Sequence, residues 1–164
     1  MTAPKSDGAV LRRVFANVPA GVIAICADTG SERIGMAAST FVPVSLDPPL
    51  VAFCVQNTST TWPRLAARER LGISVLSSTQ DTAARALAAK SGDRFSGIDT
   101  ETHADGALFV RGCAVWLDVS VEQQVPAGDH AIVVMAVHDH FVHDTDTEVE
   151  PIVFHRSEFR RLAS

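Results

Sequence analysis

The stretch from Gly35 to Val51 constrains the fold most, because it joins two strand-like segments through a bend of small and hydroxyl-bearing residues and a Pro-Pro corner. Ala37, Ala38, Ser39 and Thr40 have so little side-chain bulk that a flat ligand can approach the backbone, whose amides bind carbonyl and phosphate oxygens. A plain strand would carry bulkier apolar residues here. The pattern predicts a ligand cradle, although small residues and hydroxyls are as common in any tight β-bend.

The composition is that of an ordinary globular chain. Of the 164 residues, 46% are hydrophobic and 20% are charged, which predicts one soluble domain over residues 1–164 with a sizeable core. The formal net charge of −5 argues against a nucleic-acid partner, since nucleic-acid binders usually present a basic face. We therefore expect no contact with nucleic acid.

Nothing in the sequence suggests membrane insertion or export. The longest apolar run, from Ala131 to Val137, is far shorter than the roughly 20 residues that a membrane-spanning helix needs. The first residues lack the apolar segment of a signal peptide. Cys26, Cys54 and Cys113 have no CxxC spacing, which favours core thiols in a reducing cytoplasm over a disulfide framework or a zinc site. We therefore expect a cytoplasmic protein with no membrane contact.

The spacing of apolar residues and the positions of turn-forming residues predict many short strands and a few helices. The predicted helices run from Ser6 or Asp7 to Val18, from Thr60 or Thr61 to Arg68, and from Ser78 or Thr79 to about Lys90. The predicted strands cover residues 22–27, 33–38, 41–46, 50–55, 71–76, 113–121, 131–142 and 152–155. We expect the first helix to pack on a closed antiparallel β-barrel.

Alternation is clearest after Cys113. Val115, Leu117 and Val119 alternate with Trp116 and Asp118, which is the period-two pattern of a half-buried strand. Such a strand has one face on the core and one face in solvent. Antiparallel pairing with its neighbours is therefore expected.

Three further segments carry groups that can bind a ligand. The segment from Val55 to Thr61 is rich in donors and leads into a helix start, where free amides and the dipole favour an anion such as a phosphate. It can equally be a solvated loop with an ordinary helix cap. The segment Asp93-Arg94-Phe95-Ser96-Gly97 can be a loop with an anchoring aromatic, and His130 after Gly128-Asp129 can be merely structural.

Taken in order, these motifs resemble the flavin reductase family of FMN-binding split barrels, the reductase components of two-component monooxygenases. The resemblance rests on Pro19-Ala20-Gly21-Val22, on the Gly35 to Val51 segment, on Asp93-Arg94-Phe95-Ser96-Gly97 and on Gly128-Asp129-His130, and it covers nearly the whole chain. It implies a mainly β fold with peripheral helices, namely an antiparallel Greek-key split β-barrel that forms a homodimer with the flavin near the subunit interface.

The resemblance also implies an activity. It points to an NAD(P)H:flavin oxidoreductase that reduces FMN or FAD by hydride transfer to N5, with NADH or NADPH as co-substrate, and supplies reduced flavin to a separate monooxygenase. A flavin carrier or sensor without nicotinamide turnover is the alternative, because one fold supports several functions. An oxidase of the pyridoxamine phosphate type shares the barrel, but Ser-Leu-Asp-Pro-Pro-Leu and Gly-Asp-His favour the reductase branch.

The resemblance assigns site residues position by position. The residues that it places at the flavin are Gly35, Met36, Ala37, Ala38, Ser39, Thr40, Val55, Gln56, Asn57, Thr60, Thr61, Ala86, Leu87 and Phe95. Thr60 and Thr61 would hold the phosphate, and Phe95 would cover the ring. Arg94 would face the pyrophosphate of NADH or the phosphate of FMN. Arg64 is the cation nearest in sequence to the segment from Val55 to Thr61, which we call the hydroxyl loop. His130, Phe154 and His155 would line the nicotinamide pocket, with His130 and Arg94 serving catalysis.

A histidine cluster invites a metal hypothesis. His138, Asp139 and His140 fall on one predicted strand with His143 close behind, and residues two apart in a strand share a face. A third ligand at a characteristic spacing is missing, so exposed strand histidines are the better interpretation. We therefore expect no bound metal.

Overall fold

The computed structural model describes residues 7–143 and 149–163. Its helices are α1 (Gly8–Phe15), α2 (Trp62–Ala66) and α3 (Asp81–Ala88). Its strands are β1 (Ala20–Gly21), β2 (Ile23–Asp28), β3 (Arg33–Ala38), β4 (Val42–Leu46), β5 (Pro49–Gln56), β6 (Leu71–Val75), β7 (Thr100–Thr102), β8 (Leu108–Val110), β9 (Val115–Ala127), β10 (His130–Val142), β11 (Val153–His155) and β12 (Glu158–Arg160). Ser6, one of the two predicted caps of the first helix, lies outside the described residues.

Seven strands form one antiparallel sheet in the order β3-β2-β6-β9-β10-β5-β4. Strands β1, β11 and β12 form a second sheet, and β7 pairs with β8. The long β9–β10 hairpin turns at Gly128, whose φ of +65° suits a residue without a Cβ. This turn sets His130 opposite Gln56 of β5. The prediction of a mainly β, antiparallel fold is confirmed.

The large sheet buries side chains on both faces. Strand β2 shows this directly, because Ile23 and Ile25 point into one apolar cluster while Ala24 and Cys26 point into the other. The first cluster fills the barrel. Its members include Phe53, Trp62, Leu65, Leu71, Ile73, Val119, Val133 and Met135. The second cluster lies between the sheet and α3 with the β7–β8 hairpin, and includes Leu76, Leu87, Phe95, Leu108, Phe109, Trp116 and Ile152.

The alternation in β9 does not separate core from solvent as the sequence suggested. Trp116 and Asp118, expected on the open face, are both only 5% exposed. The cause is the β7–β8 hairpin, which the sequence did not reveal and which covers this face. Trp116 donates its indole N–H to the carbonyl of Val110 at 2.8 Å, so the ring is both buried and hydrogen-bonded.

Helix α1 differs most from expectation. The Asp7 carboxylate caps it by accepting from the Ala9 amide at 3.0 Å, and the helix ends at Phe15 rather than Val18. None of its residues is buried in the single chain. Phe15 is 65% exposed and Val18 is 68% exposed, so the apolar face predicted to pack on the barrel is open. The physical consequence is an uncovered apolar surface, of the kind that marks an interface.

Candidate active site

A cleft of about 600 Å³ opens between the end of β3 and the end of β5. On the β3 side, Ala37 and Ala38 carry only methyl groups, so the backbone itself forms much of the wall. The full lining is Met36, Ala37, Ala38, Ser39, Thr40, Cys54, Val55, Gln56, Thr58, Ser59, Thr60, Thr61, Leu87, Ala88, Lys90, Arg94 and His130. The predicted ligand cradle and the predicted hydroxyl loop therefore form two walls of one cleft.

Thr40 uses its hydroxyl to close the barrel. The hydroxyl accepts from the Cys54 amide at 2.9 Å and donates to the Cys54 carbonyl at 3.0 Å. The β4–β5 register pairs Val42 with Ala52, so Thr40 and Cys54 are the next pair in line. A side chain thus replaces the main-chain ladder where the chain leaves β3 for β4. Thr40 shapes the cradle, and its hydroxyl already has both partners.

Gly35 is needed for packing behind the cleft. A Cβ built on it would lie 2.7 Å from Cζ of Phe95 and 2.8 Å from Sγ of Cys26. Phe95 is 4% exposed and belongs to the apolar cluster on the outer face of the sheet. Its ring also lies under the Arg33 guanidinium, whose carbon is 4.9 Å from the ring centroid. Phe95 therefore packs in the core and does not line the cleft, and its predicted contact with a flavin ring stays a prediction.

The hydroxyl loop has free amides that could bind an anion, but the first turn of helix α2, which follows it, has none. Ser59 Oγ accepts from the Trp62 amide at 3.1 Å, and Pro63 has no N–H, so the first turn of α2 has no free amide to give. An anion in the cleft would therefore have to be bound by the loop that precedes α2 rather than by the first turn of the helix. The amides of Thr58 and Thr60 donate to no acceptor among the described residues, and they remain for a ligand.

Two cations border the cleft. Arg94 donates through one Nη1 to the Gly35 carbonyl at 2.9 Å and to Thr61 Oγ1 at 2.9 Å, which fixes its guanidinium between β3 and the hydroxyl loop. Lys90, just beyond α3, is the other cation in the lining. Arg64 is not there, because it pairs with Glu32 outside the cleft. Lys90 and Arg94, rather than Arg64, thus supply the positive charge that borders the cleft.

His130 reaches the cleft from the β9–β10 turn. Its Nδ1 lies 2.6 Å from Asp129 Oδ1, which leaves Nε2 for a ligand, and its side chain is 35% exposed. The hydrogen bond with His130 lowers the pKa of Asp129, so the carboxylate stays ionised and orients the ring. Asn57 ties this turn to β5, donating its amide N–H to the Asp129 carbonyl at 3.0 Å and its Nδ2 to the Gly128 carbonyl at 3.2 Å.

The structure brings most of the predicted site residues together and leaves some apart. Those outside the cleft lining are Gly35, Asn57, Ala86, Phe95, Phe154 and His155. Phe154 lines a smaller cavity of about 160 Å³ that shares Ala37, Ala38, Ser39 and Ala88 with the cleft, so it faces the cradle from the other side. His155 lines neither the cleft nor this smaller cavity.

Sequence reasoning missed five residues of the lining: Cys54, Thr58, Ser59, Ala88 and Lys90. Thr58 and Ser59 stand inside the predicted donor-rich loop, so their hydroxyls were a usable signal. Lys90 was assigned to a helix that in fact ends at Ala88. Cys54, expected in the core, is only half-buried and faces the cleft.

The histidines of β10 form no metal centre in the described part of the chain. His138 Nε2 lies 2.6 Å from Ser120 Oγ, and His143 Nε2 is buried without a hydrogen-bond partner. Within residues 7–143 and 149–163, no group of three or more His, Cys, Asp or Glu side chains is placed to hold a metal ion. Over the same residues, no helix has the length and apolar character needed to cross a membrane.

Several known proteins are similar to this chain in sequence. A flavin reductase of Pseudomonas putida is 33% identical over 154 residues, which cover 93% of this chain and 89% of that protein. An NADH:FMN oxidoreductase of Rhodococcus erythropolis is 32% identical over 145 residues, covering 87% of this chain and 76% of its own length. The reductase subunit of a flavin-dependent monooxygenase of Mycobacterium tuberculosis is 28% identical over 153 residues, which cover 93% of this chain and 81% of that protein.

A solved structure shares the fold. The NADH:FAD oxidoreductase of Streptomyces globisporus, in complex with NAD and FAD fragments, matches with a TM-score of 0.88 and 35% identity over 99% of this chain and 96% of that one. This likeness confirms the split-barrel prediction. The flavin reductase like domain family matches residues 15–163. The chain therefore belongs to the flavin reductase like domain family.

Proposed function

We propose that this chain is an NAD(P)H:flavin oxidoreductase that reduces FMN or FAD. The observation that carries the proposal is the cleft, in which a small-residue wall, a hydroxyl loop, two cations and one oriented histidine converge. The names of the similar proteins support it. A bound flavin would supply the redox chemistry by accepting a hydride at N5, while the protein supplies position and electrostatics.

The donor set fits a flavin. The methyl-sized side chains of Ala37 and Ala38 leave the backbone open to a flat ring, and the main-chain amides of this wall can stabilise negative charge without reorganising. Thr60, with its unpartnered amide, and the charges of Lys90 and Arg94 suit the phosphate end. We assign the flavin phosphate to this end of the cleft.

His130 and Phe154 suit the nicotinamide. The Asp129 carboxylate holds His130 in one orientation, so its Nε2 can meet the carboxamide of a dihydropyridine ring placed over the flavin. Phe154 offers an aromatic face beside the same cradle. Arg94 serves by fixing the loop rather than by moving protons, because its guanidinium already bonds Gly35 and Thr61.

We further propose a homodimer that passes reduced flavin to a separate monooxygenase. Apolar side chains stand open on edge strand β4 and on α1, and a second subunit would cover them. The likeness to a monooxygenase reductase subunit supports such a partner. The three unpaired cysteines fit a reducing cytoplasm.

Turnover tests the proposal directly. Purified protein is mixed with NADH, and the loss of reduced-nicotinamide absorbance is followed without flavin and with FMN, FAD or riboflavin, then again with NADPH. We expect loss that saturates with added flavin, and His130→Ala should lower kcat/KM. The matched control is His140→Ala, on the same strand but outside the cleft. Bound flavin without nicotinamide oxidation would instead establish the carrier or sensor.

A further inference from the structure

Three arginines surround a separate cavity, of about 320 Å³, at the junction of α1 and the β11–β12 turn. Arg12 and Arg13 come from the helix and Arg156 from the turn, with Asn17 and Ser157 completing the polar lining. Among residues 7–143 and 149–163, no acidic side chain lines this cavity. In a chain with a net charge of −5, such a concentration of positive charge calls for a partner of opposite sign. We call it the arginine cavity.

Of the three arginines Arg156 is held in place, and in the described residues none of them is neutralised by an ion pair. The Arg156 amide donates to the Ala16 carbonyl at 2.7 Å, and its Nε donates to Asn17 Oδ1 at 3.0 Å. Asn17 in turn donates to the Arg13 carbonyl at 2.9 Å. Across residues 7–143 and 149–163, neither Arg12, Arg13 nor Arg156 forms an ion pair. The Nη groups therefore face a ligand with their full donor capacity.

The backbone of the turn is strained in favour of this arrangement. Arg156 and Ser157 have φ of +53° and +62°, in the left-handed region that glycine and asparagine normally occupy. They form the two-residue connection between His155 and its partner Glu158, where Asn-Gly is the usual choice. Backbone strain of this kind clusters at ligand sites. Here the strained conformation of Arg156 and Ser157 places the Arg156 side chain at the cavity.

The β11–β12 hairpin links the arginine cavity to the cradle. Phe154 lines the smaller cavity that shares Ala37, Ala38 and Ser39 with the cleft, and it is two residues before Arg156 on this hairpin. A side chain assigned to the nicotinamide and the arginine cavity therefore lie on the same short hairpin.

We propose that the arginine cavity binds the diphosphate of the nicotinamide dinucleotide, an inference that rests on the proposed function. Guanidinium groups bind phosphate oxygens in bidentate fashion, and several arginines match the two charges of a diphosphate. The flavin phosphate has the same chemistry, but we assign it to the hydroxyl loop with Lys90 and Arg94 inside the cleft. The dinucleotide would thus lie with its ring at His130 and its diphosphate on α1 and the turn.

Kinetics with matched electron donors test the assignment. The variants are Arg12→Gln with Arg156→Gln, and Arg12→Gln with Arg13→Gln in case the turn does not tolerate a change at Arg156. Riboflavin is the acceptor, so no flavin phosphate takes part. We expect KM for NADH to rise about tenfold in these variants with kcat unchanged. Their KM for NADH should also increase less steeply with ionic strength than the KM of the wild type does. Reduced nicotinamide riboside, which has no phosphate, should show the same KM in all variants.

The control is Arg68→Gln, which removes an arginine that lines neither the cleft nor the arginine cavity. This variant should leave KM for NADH and KM for the riboside unchanged. An unchanged KM for NADH in the double variants, or an equal rise for the riboside, would overturn the inference. So would a rise in KM for FMN alone, which would assign the cavity to the flavin phosphate. Binding of ADP-ribose measured by calorimetry is an independent readout, so a wild type that fails to oxidise NADH would disprove the proposed function without deciding this site.

Discussion

At the scale of single residues, Thr40 shows how one side chain serves both fold and site. Replacement by valine keeps the shape but leaves the Cys54 amide and carbonyl without their partners, at a cost of about 1 kcal/mol since water reaches this edge. We expect Thr40→Val to lower Tm by about 2–4 °C and to weaken flavin binding. Thr40→Ser retains the hydroxyl and should melt like the wild type. Equal melting temperatures of the two variants would show that the contact between Thr40 and Cys54 does not depend on this hydroxyl.

The same scale shows what a sequence pattern can and cannot reveal. The small residues from Ala37 to Ser39 were recognisable because local bulk decides whether a backbone is open to a ligand. The burial of Phe95 was not, since it depends on its contact with Gly35, which is distant in sequence. Lys90 was hidden for a similar reason, because its place in the cleft follows from where α3 stops.

At the scale of elements, the β7–β8 hairpin is fastened to the sheet by charge. Arg70, just before β6, donates to Asp118 Oδ1 at 3.1 Å and lies 4.0 Å from Asp105 in the hairpin. Burial, together with the hydrogen bond shared with Asp105, raises the pKa of Asp118 to about 6. The two carboxyls therefore share one proton in the folded protein at mildly acidic pH, where the unfolded chain has released it.

This shared proton gives stability a definite pH dependence. Between about pH 4 and pH 6 the folded state binds more protons than the unfolded state, so the free energy of unfolding should fall as the pH rises through this range. Asp118→Asn mimics the protonated carboxyl. We expect its melting temperature to exceed that of the wild type at pH 7.5 and to depend less on pH. Asp99→Asn, which alters an exposed carboxylate, serves as the control, and an unaltered slope in Asp118→Asn would contradict the shared proton.

At the scale of the whole molecule, the open apolar surface of β4 predicts self-association. Val42 and Val44 are about half exposed and Leu46 is 96% exposed, on an edge strand that Pro43 protects against strand addition. A second subunit would then pack on side chains rather than extend the sheet. We expect Leu46→Arg to shift the protein from dimer to monomer in light scattering. Ser31→Arg adds the same charge at the β2–β3 turn and should leave the dimer intact, and a wild type that is already monomeric would refute the proposal.

The hydrogen bonds of Asn57 limit how far substitutions can alter one binding site without altering the other. Through them the hydroxyl loop that follows β5 and the turn that carries His130 form one hydrogen-bonded unit. The support of the electron acceptor is therefore also the support of the electron donor. A substitution that retunes affinity for one of the two will displace the contacts of the other, so preferences for flavin and for nicotinamide are bound to drift together rather than one at a time.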